Sequence, residues 1–285
     1  MDPVCTMLDF LDPSKLLSHW AGCEEPPGSD VVYLGLNDPV TDGEAKGLPE
    51  GATVCDGSEK QGTIKSADGK KDLDLRKEGD VNTFLKESGV DKLREKPDGT
   101  METEAERDKR MEQLEAVFLG EKKDGKRVGT GMDPNSRDEM AEFIQTLQKV
   151  ENGEMDMKRL VISGHHYPDE MGIHGTGPKD SGMRFSQLQT VLDNFKGAQG
   201  GVEHLMLSAC NTENGYKAQD DLYQHLLPNL ETVWGYNGYA PSLGPDVRNN
   251  SAAHIAAWDA ATRSEDPHAV RDEAKTRVNA AVHEY

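Results

Sequence analysis

Two apolar runs in this chain end in residues able to do chemistry. Lys158–Ser163 is followed by Gly164, His165 and His166, and Val202–Leu207 by Ser208, Ala209, Cys210 and Asn211. Cysteine attacks as its thiolate, and a free thiol near neutral pH is only a few per cent ionised, so it needs a base beside it. An imidazole within hydrogen-bond reach supplies that base and later returns the proton to a leaving group. Cys210 as nucleophile and His165 as base therefore describe acyl transfer. Gly164 and Ala209 leave space for a peptide to approach. The backbone N–H groups of His166 and Cys210 are candidate oxyanion donors, because turns at strand ends can aim two amides at one point.

Strands and helices must bring these groups together. Val31–Leu36 is a continuous apolar run, and Lys158–Ser163, Val202–Leu207 and Thr232–Tyr236 have apolar centres, the pattern of buried strands. Between and after them lie helical patterns. Ser136 opens one through Val150, with Met140, Phe143, Ile144 and Leu147 on one face. Others are Arg184–Phe195, Asp220–Leu230 and two Ala-rich helices from 250 onward. The alternation predicts an α/β fold of three layers, a mainly parallel sheet with helices on both faces. Ligands in such sheets bind beyond the carboxyl ends of the strands, which is where His165 and Cys210 fall. Residues 164–201 are the right length for one crossover between adjacent parallel strands.

Two stretches differ in character. Residues 1–30 carry a short apolar-periodic segment, Met7–Trp20, and then a Pro-Pro-Gly breaker, so they are expected to be an extension to a domain spanning 31–285. Residues 40–135 are polar and read as a loop-rich insertion that covers the site or is cut by it. Helices are expected within it at Val81–Glu87 and Thr103–Leu119, the second with Met111, Leu114, Val117 and Phe118 at helical spacing.

Composition excludes several functions. The formal charge of −20 repels nucleic acid and anionic membranes. No run approaches the length of a membrane span, and the acidic N-terminus lacks a signal peptide's basic region, so a cytoplasmic protein is expected. The 4 cysteines form no CxxC pair, which fits a reducing compartment. No Gly-rich phosphate loop is present, and no cofactor is expected. His165, His166 and His174, with Asp169 and Glu170 between them, fit no zinc spacing. The Asp-Gly pairs at 42–43, 56–57 and 98–99 lack the preceding ligands of a calcium loop, so no metal is expected. His204, inside an apolar strand, reads as structural.

An apolar strand ending in Ser-Gly-His, followed by a second ending in Ser-Ala-Cys, resembles the caspase-like peptidase clan of caspases, metacaspases, separases and bacterial CHAT domains. Leu207–Thr212 is nearest to the CHAT-like branch. The resemblance covers about 158–240 and the strand at 31–36, and leaves 40–135 unmatched. It implies a cytoplasmic, bacterial-style thiol protease that acts on proteins or peptides and is capable of autoprocessing, with Cys210 and His165 as its dyad. The family has glycine after its catalytic histidine, whereas this chain has His166, whose β-carbon is expected to crowd the oxyanion hole. By that reasoning His166→Gly should be tolerated or activating. Asp180, Glu213 and Asp246 are acidic candidates for a substrate pocket lined by Trp234 and Tyr236, which would select Arg or Lys, with Arg248 as a basic competitor. Two rival readings remain at this level: an inactive caspase-like scaffold, and a metal-dependent hydrolase built on the 165–174 histidine loop.

Overall fold

The structure is a computed structural model and describes residues 30–36, 43–57, 62–96, 98–166, 172–173, 183–213 and 222–285. The apolar-periodic segment Met7–Trp20 lies outside the described residues. In chain order the elements are β1 (Val31–Gly35), β2 (Thr53–Cys55), β3 (Thr63–Lys65), β4 (Asp72–Asp74), α1 (Glu78–Glu87), α2 (Glu104–Leu119), β5 (Glu121–Lys123) and β6 (Lys126–Val128). Then come α3 (Arg137–Glu151), β7 (Arg159–Ser163), β8 (Gly172–Ile173), β9 (Met183–Arg184), α4 (Phe185–Asp193) and α5 (Lys196–Gly201). The chain closes with β10 (His204–Ser208), α6 (Leu222–Leu226), β11 (Thr232–Tyr236), α7 (Ser251–Thr262), α8 (Ala269–Ala274) and β12 (Ala280–Glu284).

The central sheet has 6 strands in the order β12-β11-β10-β7-β1-β2. All its pairings are parallel except β11–β12. Every residue of β1, β7 and β11 is buried, as continuous apolar runs require. Alternate residues along a strand point to opposite faces. Val32, Leu34, Leu160, Ile162, Leu205 and Leu207 pack on one face against Phe143 and Ile144 of α3 and Leu188 and Val191 of α4. Val31, Tyr33, Val161, Met206, Trp234 and Tyr236 pack on the other against Ile255 and Trp258 of α7 and Val270 of α8. The result is the expected α/β fold, three layers about a mainly parallel sheet. From β1 the chain steps to one side for β2 and later to the other for β7, so strand order reverses between β1 and β7. That reversal opens the crevice where α/β sheets bind ligands.

The described residues between 53 and 132 contribute to the core. β2 pairs with β1, and Cys55, Leu73, Val81, Phe84, Leu114, Phe118 and Met132 belong to the larger core cluster. α1 and α2 form where helical spacing predicts them, α2 behind a capping box of Thr103 and Glu106. The expectation of a loop-rich insertion gives way for a physical reason: single apolar residues widely spaced among charges are hidden in composition but converge in space. The chain also ends differently. After α7 and α8, Asn279 turns the backbone at φ 56° and β12 adds an antiparallel edge strand. Its Ala-rich sequence carries no strand pattern, and cross-strand pairing with β11 decides its conformation.

At the amino end of the sheet, Arg159 is buried and ties three elements together. Its Nε donates to Asp30 at 3.0 Å and its Nη1 reaches Asp259 of α7 at 2.5 Å. Among the described residues no helix is long and apolar enough to cross a membrane.

Candidate active site

β7 and β10 pair in parallel with Ser163 opposite Ser208. The Gly164 N–H donates to the Ser208 carbonyl at 3.3 Å and closes the ladder. His165 and Cys210 each stand two positions beyond those serines. Gly164 and Ala209 bend the chain past the ladder, so the two groups sit on turns that leave adjoining strand ends. Both residues are half-buried. The pairing thus brings the turns that carry the two sequence-predicted groups to adjoining strand ends, next to the sheet's switch point.

The turn carrying Cys210 is held from several sides. Asn211 adopts a left-handed conformation (φ 58°), which asparagine tolerates better than most residues. Its N–H donates to the Gly238 carbonyl at 2.6 Å. Thr212 Oγ1 donates to the Ala209 carbonyl at 3.1 Å and accepts the Tyr236 N–H at 3.0 Å, pinning the turn to β11. The Ala240 N–H reaches Cys210 Sγ at 3.3 Å, and a donor aimed at sulfur suits negative charge there. The segment following β11 therefore forms one wall of the site.

His166 takes a part that sequence reasoning missed. Its Nδ1 lies 2.9 Å from the Cys210 carbonyl oxygen. A carbonyl only accepts, so Nδ1 carries the proton and donates. The ring is 3% exposed and leans on Phe185, with centroids 6.4 Å apart. Its side chain braces the Cys210 backbone, a contact a glycine could not make.

Glu44, on the loop after β1, is the second missed residue. It is 3% exposed, beneath the ends of three strands. Tyr33 Oη (2.8 Å), Ser163 Oγ (2.5 Å) and Ser208 Oγ (3.1 Å) all donate to its carboxylate. Burial raises its carboxyl above the ordinary value, and the bonds from Ser163, Tyr33 and Ser208 oppose that shift. Its loop packs closely on the segment around α7: a β-carbon on Gly47 would sit 2.0 Å from the Ala252 carbonyl oxygen. The one sequence signal for this arrangement was the serine closing each of two otherwise apolar strands.

The remaining predicted residues scatter. His174 and Asp180 lie outside the described residues. Trp234 and Tyr236 do not line an open pocket; both are 0% exposed and pack beneath α7. β11 is an interior strand, and its period of two turns both rings into that layer, where Tyr236 Oη lies 3.1 Å from His254 Nδ1. Burial pushes the Tyr236 phenol well above its usual range. Asp246 is exposed and paired with Arg248 at 3.3 Å, which holds its carboxyl below the ordinary value. Acid and basic competitor thus neutralise each other. Glu213 is half-buried one turn past Cys210 and lines a cavity of about 230 Å³ with Thr212, Val233, Gly235 and His283. His204 Nδ1 lies 2.9 Å from Thr232 Oγ1 on the adjoining strand. Among the described residues no three His, Cys, Asp or Glu side chains gather in a way that could hold a metal. Against known proteins the chain returns no match: no family model, no curated protein and no solved structure matches it.

Proposed function

We propose that this chain is a cysteine endopeptidase of the caspase-like type. The observation that supports the reading is the pairing of Ser163 with Ser208, because His165 and Cys210 each follow two positions later at adjoining strand ends. In the proposed reaction the Cys210 thiolate attacks a peptide carbonyl carbon, and the carbonyl electron pair moves to oxygen. The backbone N–H groups of His166 and Cys210 meet the resulting oxyanion. The Asn211 N–H is already committed to Gly238 and takes no part. Protonated His165 gives its proton to the departing amine as the C–N bond breaks, leaving a thioester. His165 then takes a proton from water, whose oxygen attacks the thioester carbon, and cleavage of the C–S bond releases the acid and restores the thiolate.

The residue before the scissile bond is proposed to be Arg or Lys. Glu213 supports this best of the acidic candidates, since Asp246 already pairs with Arg248. The deciding experiment is cleavage of fluorescent casein by wild type, Cys210→Ala and His165→Ala. Loss of activity in the first variant and a fall of about 10²–10⁴ in the second are expected. Unchanged cleavage by either variant contradicts the mechanism.

A further inference from the structure

A buried carboxylate costs stability unless its surroundings repay the loss of water, so its presence under a functional edge asks for a reason. Glu44 is met by hydroxyl groups from three strands. Ser163 and Ser208 are directly paired across β7 and β10, and Tyr33 belongs to β1 on the far side of β7. One carboxylate therefore spans the strands that flank the switch point. Two positions beyond the paired serines, on the turns that leave β7 and β10, stand His165 and Cys210.

The carboxylate is itself anchored. Gly47 leaves no room for a side chain against the Ala252 backbone, and Gly43 leaves none without moving Leu243, so the Glu44 loop is seated on the segment leading into α7. That segment also supplies Ala240, whose N–H meets Cys210 Sγ. An apolar side chain at position 44 would fill the space more cheaply but could not hold two serines at a set separation.

We propose that Glu44 is a positioning residue for the Cys210–His165 pair: its carboxylate bridges Ser163 and Ser208 and so fixes the spacing of the two groups beyond them. The role rests on the dyad reading given above. Glutamine keeps the shape of Glu44 and can still bridge two hydroxyls, whereas leucine keeps only bulk.

The test compares wild type with Glu44→Gln, Glu44→Leu and the double variant Ser163→Ala/Ser208→Ala. It reads the rate of Cys210 alkylation by iodoacetamide, located by peptide mass spectrometry, together with kcat and KM on a peptide substrate. Glu44→Leu and the serine pair are expected to lose about tenfold or more in alkylation rate and kcat, with KM little changed, because misplacement of reacting groups acts on the chemical step. Glu44→Gln is expected to remain close to wild type. The proposal is overturned if Gln is as impaired as Leu, if the serine pair reacts at the wild-type rate, or if only KM moves. Should Glu44→Leu fail to fold, the glutamine variant and the serine pair still decide. Alkylation needs no protein substrate, so His165→Ala separates the two claims. Slower labelling in His165→Ala beside normal labelling in the serine pair overturns the role of Glu44 alone. Normal labelling in His165→Ala overturns the dyad and this role with it.

Discussion

Replacing His166 separates two ideas about why a histidine follows the catalytic candidate. If it merely stands where a glycine belongs, His166→Gly is harmless or activating. The structure argues for the opposite. Nδ1 donates to the Cys210 carbonyl at 2.9 Å inside a site where the ring is 3% exposed. Removing the donor orphans a carbonyl shielded from water, at a cost of about 1–3 kcal/mol. A glycine also removes the ring packed on Phe185 and adds roughly 0.5–1 kcal/mol of backbone freedom to the unfolded chain. Together these amount to about 3–4 kcal/mol, or a fall of about 10 °C in Tm for a chain of this size. His166→Phe isolates the hydrogen bond, since it keeps a ring against Phe185 and loses only the donor; its expected cost is about 1–3 kcal/mol. Urea unfolding at constant m-value measures both variants, and iodoacetamide labelling of Cys210 reports whether the turn has loosened. A wild-type midpoint with raised activity in His166→Gly would refute the bracing role.

Three further outcomes follow from buried groups elsewhere. Arg159→Met strands Asp30 and leaves Asp259 with Arg263 alone at the amino end of the sheet. Its expected cost in urea unfolding is about 1–3 kcal/mol, below the cost of breaking a fully buried ion pair because both aspartates are partly exposed. Cys55 lies against Thr146, and burial pushes its thiol up to about 12, so native protein at about pH 8 should leave it unalkylated while Cys210 reacts; unfolding should expose it. Glu44 gives a pH signature. Its carboxyl is raised in the folded state, so unfolding releases a proton, and the stability it contributes is present below the unfolded value of about 4.5 and lost as pH rises through the folded value. The Tm of wild type minus that of Glu44→Gln should therefore fall as pH rises above about 4.5, and a difference that grows with pH would contradict the burial argument.

The four interior strands were legible because a strand covered on both faces has an apolar centre, as in Val31–Gly35 and Leu160–Ile162. The edge strands β2 and β12 were not, since Thr53–Cys55 is short and Ala280–Glu284 is only partly buried, and neither carries an apolar pattern. His165 and Cys210 could be read as strand-end residues before any register was known. Their adjacency depends on β7 and β10 being sheet neighbours, a long-range fact that local pattern does not encode. Trp234 and Tyr236 misled for the converse reason: aromatic residues near a functional edge look like pocket walls, but strand periodicity turned both into the α7 layer. Glu44 was invisible as one acid in a charged loop, because its partners come from three strands and 11 to 164 positions away in sequence.

The central claim is that Cys210 is a nucleophile activated by His165, and covalent labelling by a thiol-reactive peptide electrophile tests it most directly. The reagent ends in Arg at its reactive carbonyl, and the modified residue is identified by mass spectrometry with and without a chelator. The account predicts stoichiometric labelling of Cys210 in wild type, strong suppression by His165→Ala, and no effect of the chelator. Labelling that ignores His165→Ala, or cleavage of casein that survives in Cys210→Ala and stops on chelation, would contradict it.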